Sequence, residues 1–139
     1  MEMKRILSLA IAVAAIAIAI SGCSKNNYGK WETRVLLSWS QGIDENRLDN
    51  LKACISEVEY FKEPRQYEGY RDDVVTKALN EFGDACNLID KDKIDENLYF
   101  GEVLTLTLTL SAPGSAEGEM IGQVRIIGDT APEDQEVDN

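Results

Sequence analysis

Histidine is missing from the 139 residues of this chain. Its absence removes the commonest general base and the commonest transition-metal ligand. Positive charge is also in short supply, because 14 Lys and Arg residues face 25 Asp and Glu residues. Nucleic acids and anionic membrane surfaces both favour clustered Lys and Arg, so the composition argues against either as the main partner.

Catalytic motifs are missing as well: the chain has no nucleophile elbow, no metal-spaced Cys and His cluster and no phosphate-binding Gly loop. Carboxylate pairs are so plentiful that none stands out as an acid and base pair. An acidic run beginning at Asp90 looks at first like a calcium loop. Ile94, Asp95 and Gly101 then occupy its fifth, sixth and twelfth places, where an oxygen ligand, a Gly and a Glu are needed. We therefore expect no enzyme, no bound metal and no dissociable cofactor.

What the sequence does contain begins with an export signal. Lys4 and Arg5 precede an apolar run of about 15 residues, Ile6 to Ile20. A transmembrane helix needs about 20 such residues, so this run matches a secretory signal peptide better. The segment Ile20-Ser21-Gly22-Cys23 closes the run with two small residues before a cysteine.

These four residues resemble the lipobox of bacterial lipoproteins. The resemblance implies cleavage before Cys23 and a covalent N-terminal lipid on that cysteine, palmitate included, as the membrane anchor. In Gram-negative lipoproteins an Asp after the cysteine favours the inner membrane. Ser24 stands there, so the resemblance implies the outer membrane, facing the periplasm. An uncleaved anchor and an ordinary signal peptide with a chance cysteine are the alternatives, and the early polar Lys25 and the lack of an A-x-A-like site argue against them.

Four segments follow from this interpretation. Residues 1–22 form the signal peptide and residues 23–30 a lipidated tether. Residues 31–128 suffice for a single domain. Residues 129–139 are acidic without an apolar period, and we expect a disordered tail. No family is recognised for the domain itself.

Two further cysteines, Cys54 and Cys86, remain in an exported chain. An oxidising compartment normally joins such a pair, so we predict a disulfide. It would close a loop of about 30 residues and stabilise the domain by about 3 to 4 kcal/mol. Two buried free thiols are the alternative. A redox role is disfavoured because the chain has no C-x-x-C motif.

Periodicity predicts the secondary structure of the domain. Apolar residues alternate with polar ones over 31–39, 103–110 and 120–127, which predicts three strands, the last two forming a hairpin. Apolar residues at spacings of three and four predict helices over 45–60 and 72–90. The order β-α-α-β-β favours an α+β two-layer sandwich, with a mainly antiparallel three-stranded sheet and both helices on one face.

The segment between the helices is the candidate binding surface. It is rich in Tyr and Arg, residue types that favour protein contacts, and the candidates are Tyr60, Arg65, Tyr67, Tyr70 and Arg71. The alternative is that Phe61 and one Tyr pack under the loop while the other side chains are ordinary solvated ones. An open edge of a three-stranded sheet is a second candidate surface, because an edge accepts a partner's strand.

These observations lead us to expect an envelope lipoprotein that binds another envelope protein. Two alternatives stay open: a small-molecule or glycan binder with Trp31 and Trp39 in a groove, and a passive structural lipoprotein. A phage or plasmid protein that blocks a receptor also fits the size and the anchor, although no residue argues for it. The sequence does not identify the partner.

Overall fold

The computed structural model describes residues 27–115 and 117–130. The predicted signal peptide, the predicted lipidation site Cys23 and most of the predicted tail lie outside these residues. Within the described part of the chain, no helix is long and apolar enough to cross a membrane.

Three strands form where alternation predicts them. They are β1 (Tyr28–Trp39), β3 (Val103–Ser111) and β4 (Glu119–Ile127). All are antiparallel, and β1 pairs with β3, the first strand of the hairpin. The even-numbered leucines of β3 are buried and its threonines lie on the other face, as its alternating pattern requires.

A fourth strand, β2 (Arg65–Tyr70), was not predicted. It pairs with β1, giving the sheet order β2-β1-β3-β4. Its sequence carries one buried apolar side chain, Tyr67, between exposed Gln66 and Glu68. That alternation is too short to distinguish from a loop, and Pro64 and Gly69 favour the loop interpretation.

Helices cover the leucine face of the sheet. They are α1 (Glu45–Ser56), α2 (Arg71–Cys86) and the short α3 (Lys91–Asn97), and a 3-10 turn spans Glu59–Phe61. The N-terminus of α1 is capped by Asp44, whose side chain accepts from the Arg47 N–H at 2.9 Å. In α3, Asp90 caps the first turn and Ile94 is buried, so the acidic run that looks at first like a calcium loop is helical.

The core lies between the helices and the sheet. Phe82 of α2 and Leu51 of α1 are completely buried in the same cluster as the β3 leucines. The α+β class and the antiparallel sheet are therefore confirmed. The predicted numbers of three strands and two helices are wrong, because β2 and α3 each depend on tertiary contacts of a single apolar residue.

Candidate functional site

The structure divides the predicted binding segment into a buried part and an exposed part. Tyr60 and Tyr67 are each only 8% exposed, whereas Tyr70 at the end of β2 is 50% exposed. Arg65 and Arg71 are partly buried. The five residues are thus neighbours along the chain, but they do not form one exposed patch.

The buried part is a hydrogen-bonded connection between β2 and α2. The hydroxyls of Tyr60 and Tyr67 lie 3.1 Å apart, and the Tyr67 hydroxyl donates to Oε1 of Glu81 at 2.8 Å. Burial, together with these hydrogen bonds, raises the pKa of Tyr67 above its usual range. Tyr67 therefore stays protonated and holds the strand against the helix.

Arg65 completes this buried part. Its guanidinium lies over the Tyr60 ring, with Cζ 4.6 Å from the ring centre. A cation over an aromatic face is attracted by the ring's negative potential. Among the described residues, Nε of Arg65 is a buried side-chain nitrogen that has no hydrogen-bond partner. Arg65 therefore contributes mainly to packing within the segment and is not a freely exposed recognition residue.

The exposed part lies at the other end of β2. The rings of Tyr70 and Tyr28 meet edge to face, with centroids 5.1 Å apart. The Tyr28 hydroxyl donates to Glu68 at 3.2 Å. Arg71 reaches across to Glu119 of β4, at 2.9 Å. These contacts present two aromatic rings beside the end of the strand.

Among residues 27–115 and 117–130, the outer edge of β2 carries backbone groups without a hydrogen-bond partner. The Arg71 N–H donates to the Asn27 carbonyl at 3.2 Å, which fixes the phase of the β1–β2 ladder. Because the bonded positions alternate in an antiparallel pair, the N–H and C=O of Gln66 and Glu68 point away from β1. Within the described residues, β2 pairs with β1 alone.

A groove of about 530 Å³ runs beside this edge. One wall is β2 and the segment before it, and the other is formed by Lys77 and Glu81 of α2. The groove is lined by four glutamates, Glu59, Glu63, Glu68 and Glu81. The lining also contains two cations, Arg65 and Lys77, so its charge is predominantly negative.

The two tryptophans do not share a groove. Trp31 is 8% exposed and its indole N–H donates to the Gly69 carbonyl at 3.3 Å. Trp39, at the other end of β1, is 41% exposed and lies under the Lys52 ammonium, 5.2 Å from its ring centre. A smaller cavity of about 250 Å³ adjoins Trp31. The indoles thus act separately, one in packing and one at the surface.

Cys54 and Cys86 are free thiols in the structure, without the predicted disulfide. Cys54 of α1 points toward the Asp90 carbonyl, 3.6 Å from its sulfur. Cys86 is the last residue of α2 and is buried. Burial raises the pKa of both thiols, that of Cys86 to about 12, so neither is an activated nucleophile.

A polar cluster that sequence analysis missed is centred on Arg47. Its guanidinium binds both carboxylate oxygens of Glu102, at 2.6 and 3.0 Å, and the carbonyl of Asn97 at 3.1 Å. Its Cζ also lies 3.9 Å from the centre of the Tyr99 ring. Every group of this cluster binds another part of the chain, which gives it a structural role. The partners lie too far apart in sequence for any local pattern to reveal them.

Glu102 is held ionised by this cluster. Burial alone raises the pKa of Glu102, but hydrogen bonds from Arg47 and from the Tyr99 N–H outweigh burial and lower it.

Within residues 27–115 and 117–130, no three His, Cys, Asp or Glu side chains converge as metal ligands. Searches of protein-family models, curated proteins and solved structures find no match to the chain. The fold defines an α+β sandwich with an open antiparallel sheet, and the β2 edge is its best candidate site.

Proposed function

We propose that the chain is a lipid-anchored interaction module of the bacterial envelope, which binds another protein and performs no catalysis. The observation that carries the proposal is the free β2 edge. Its outward backbone groups at Gln66 and Glu68 lie beside a groove and an exposed aromatic pair. Strand edges of this kind bind partners through main-chain hydrogen bonds, and tyrosines supply contact area at low entropic cost.

The anchoring part of the proposal rests on the lipobox resemblance. The lipid on Cys23 would hold the domain at the outer membrane, facing the periplasm, through a short tether. Substitution Cys23→Ser should release the chain from the membrane fraction while leaving its fold unchanged. Retention of the variant in the membrane fraction would contradict lipidation as the anchor.

Photo-crosslinking in intact cells tests the interaction. A benzoylphenylalanine probe replaces Tyr70, and a matched probe replaces Phe100, an aromatic residue that is 66% exposed and far from β2 in sequence. We expect one discrete protein adduct from position 70 and none from position 100. Equal labelling from both positions, or none from position 70 in cells with abundant protein, would count against β2 as the contact surface.

A further inference from the structure

We propose that the groove between β2 and α2 binds an extended, basic peptide segment of the partner, which adds to the sheet as a new strand beside β2. This inference rests on the proposed interaction function and specifies the chemistry of the partner. It starts from the backbone groups at Gln66 and Glu68, which point out of the sheet. An added antiparallel or parallel strand would bond to those groups.

The groove lies where an added strand would pair with β2. Neighbouring strands lie about 4.8 Å apart, so an added strand would occupy the space directly beside β2. Lys77 and Glu81, one helical turn apart on α2, line the far wall of this space. Since β2 is six residues long, the peptide would pair over about five or six residues.

The negative charge of the groove lining favours a basic peptide. The four groove glutamates, Glu59, Glu63, Glu68 and Glu81, outnumber Arg65 and Lys77. The Arg65 guanidinium is already placed over Tyr60, and the Glu81 carboxylate accepts from Tyr67. Glu59, Glu63 and Glu68 are exposed and remain accessible to Lys or Arg side chains of a bound strand. Complementary charge also speeds association and suppresses acidic competitors.

The same charge disfavours two other occupants. The C-terminal residues 131–139 contain Glu133, Asp134, Glu136 and Asp138, which the groove would repel. A second copy of the chain pairing through β2 would bring its own groove glutamates against the first set. A basic segment of a different protein meets neither obstacle.

Peptide titration of the full-length chain in a neutral detergent tests this inference. The probe is a fluorescent Lys-Val-Lys-Val-Lys-Val peptide with blocked ends. The controls are its Glu-Val counterpart and the same basic peptide with N-methylated peptide bonds. We expect saturable binding of the basic peptide, and binding at least about tenfold weaker for both controls, because one lacks the charge and the other the hydrogen bonds.

Matched variants locate the site. The combined groove variant changes three exposed glutamates: Glu59→Gln, Glu63→Gln and Glu68→Gln. The control variant removes the same charge elsewhere: Glu45→Gln, Glu96→Gln and Glu117→Gln. We expect about tenfold weaker peptide binding for the groove variant and less than about twofold change for the control. Equal losses in both variants would reduce the effect to net charge and overturn the site.

Two other outcomes overturn the inference. One is equal binding of the acidic or N-methylated peptide. The other is a concentration-dependent dimer of the chain that excludes the peptide, which would make a second copy the occupant. If the basic peptide fails to bind while Tyr70 still crosslinks one protein, the inference fails and the interaction function stands. If neither occurs, both fail.

Discussion

The two free edges of the sheet differ in regularity and in charge. The β1–β2 ladder runs through six consecutive pairs without a shift, whereas the β3–β4 ladder shifts between Leu108 and Thr109. A shift of this kind adds twist and interrupts pairing, which protects an edge from further strands. The phase of the β4 ladder, fixed by the Gly128 N–H bond to the Glu102 carbonyl, directs the backbone of Gln123 and Arg125 outward.

This difference indicates which edge of the sheet is better placed to pair with a partner's strand. Outward positions carry Glu68 at the β2 edge but Arg125 at the β4 edge, and the groove with α2 lies beside β2. On the face of β4, a Cβ on Gly122 would lie 2.6 Å from Leu79 Cδ2, the flexible end of a partly buried side chain of α2. The β4 edge is thus irregular and carries an outward Arg125, whereas the β2 edge is regular and carries Glu68.

The largest change in stability should come from breaking the ion pair between Arg47 of α1 and Glu102, the residue before β3. Glu102→Gln removes the carboxylate from a pair whose side chains are 12% and 15% exposed. We expect a loss of about 3 kcal/mol in the free energy of unfolding, because Arg47 loses a buried counter-charge. Urea unfolding measures it. The control Glu119→Gln makes the same change at the more exposed Arg71 pair, with an expected loss below about 1 kcal/mol.

The same pair predicts a pH dependence. The pKa of Glu102 is lower in the folded chain than its unfolded value of 4.5. Its stabilising contribution is therefore complete above that value and is lost as the pH falls through the lowered folded pKa. The gap in stability between the parent and Glu102→Gln should narrow below pH 4.5. A gap that stays constant would show that Glu102 acts through packing alone.

The second prediction concerns the packing at the β4 edge. Gly122→Ala should cost about 1 to 2 kcal/mol, because the added methyl group must displace the flexible end of the Leu79 side chain. Gly83→Ala in α2 is the matched control, since a Cβ there meets nothing within 4 Å. It should stabilise the helix by about 0.5 to 1 kcal/mol. Thermal unfolding compares the two. Equal stability changes would contradict the close packing at β4.

The sequence predicts some strands of the sheet but not others. The alternating Leu and Thr of β3 predict a half-buried strand, and Leu104, Leu106 and Leu108 are completely buried. β2 escapes prediction because Tyr67 is its single buried apolar residue, stabilised by a distant partner, Glu81. Helical periodicity predicts that Cys54 and Cys86 face the core. It does not predict whether their sulfur atoms face each other, which depends on how α1 and α2 are placed.

The candidate site shows the same limit. Composition alone identifies the Tyr- and Arg-rich segment, but it does not distinguish buried Tyr60 and Tyr67 from exposed Tyr70. The opposite wall of the groove comes from α2, and only the packing of α2 back against β2 brings Lys77 and Glu81 beside the strand. Long-range pairing therefore determines the site, whereas local pattern determines the strands and helices.

The third prediction separates the two tyrosines of β2. Tyr67→Phe removes the hydroxyl that joins Tyr60 and Glu81, so we expect a loss of about 1 to 2 kcal/mol in the free energy of unfolding. Tyr70→Phe leaves an exposed ring in place and should change stability by less than about 0.5 kcal/mol. Guanidinium unfolding of the pair measures the difference. Similar losses would mean that the Tyr67 hydroxyl does not fasten β2 to α2.

Residue-resolved amide hydrogen exchange, with and without the basic peptide, tests the central claim most directly. In the free chain, the amides of Gln66, Glu68, Gln123 and Arg125 should all exchange fast, because none bonds inside the sheet. Saturating peptide should slow exchange at Gln66 and Glu68 by at least about tenfold and leave Gln123 and Arg125 unchanged. Protection confined to the β4 edge, or equal at both edges, would contradict the assignment of β2 as the docking edge.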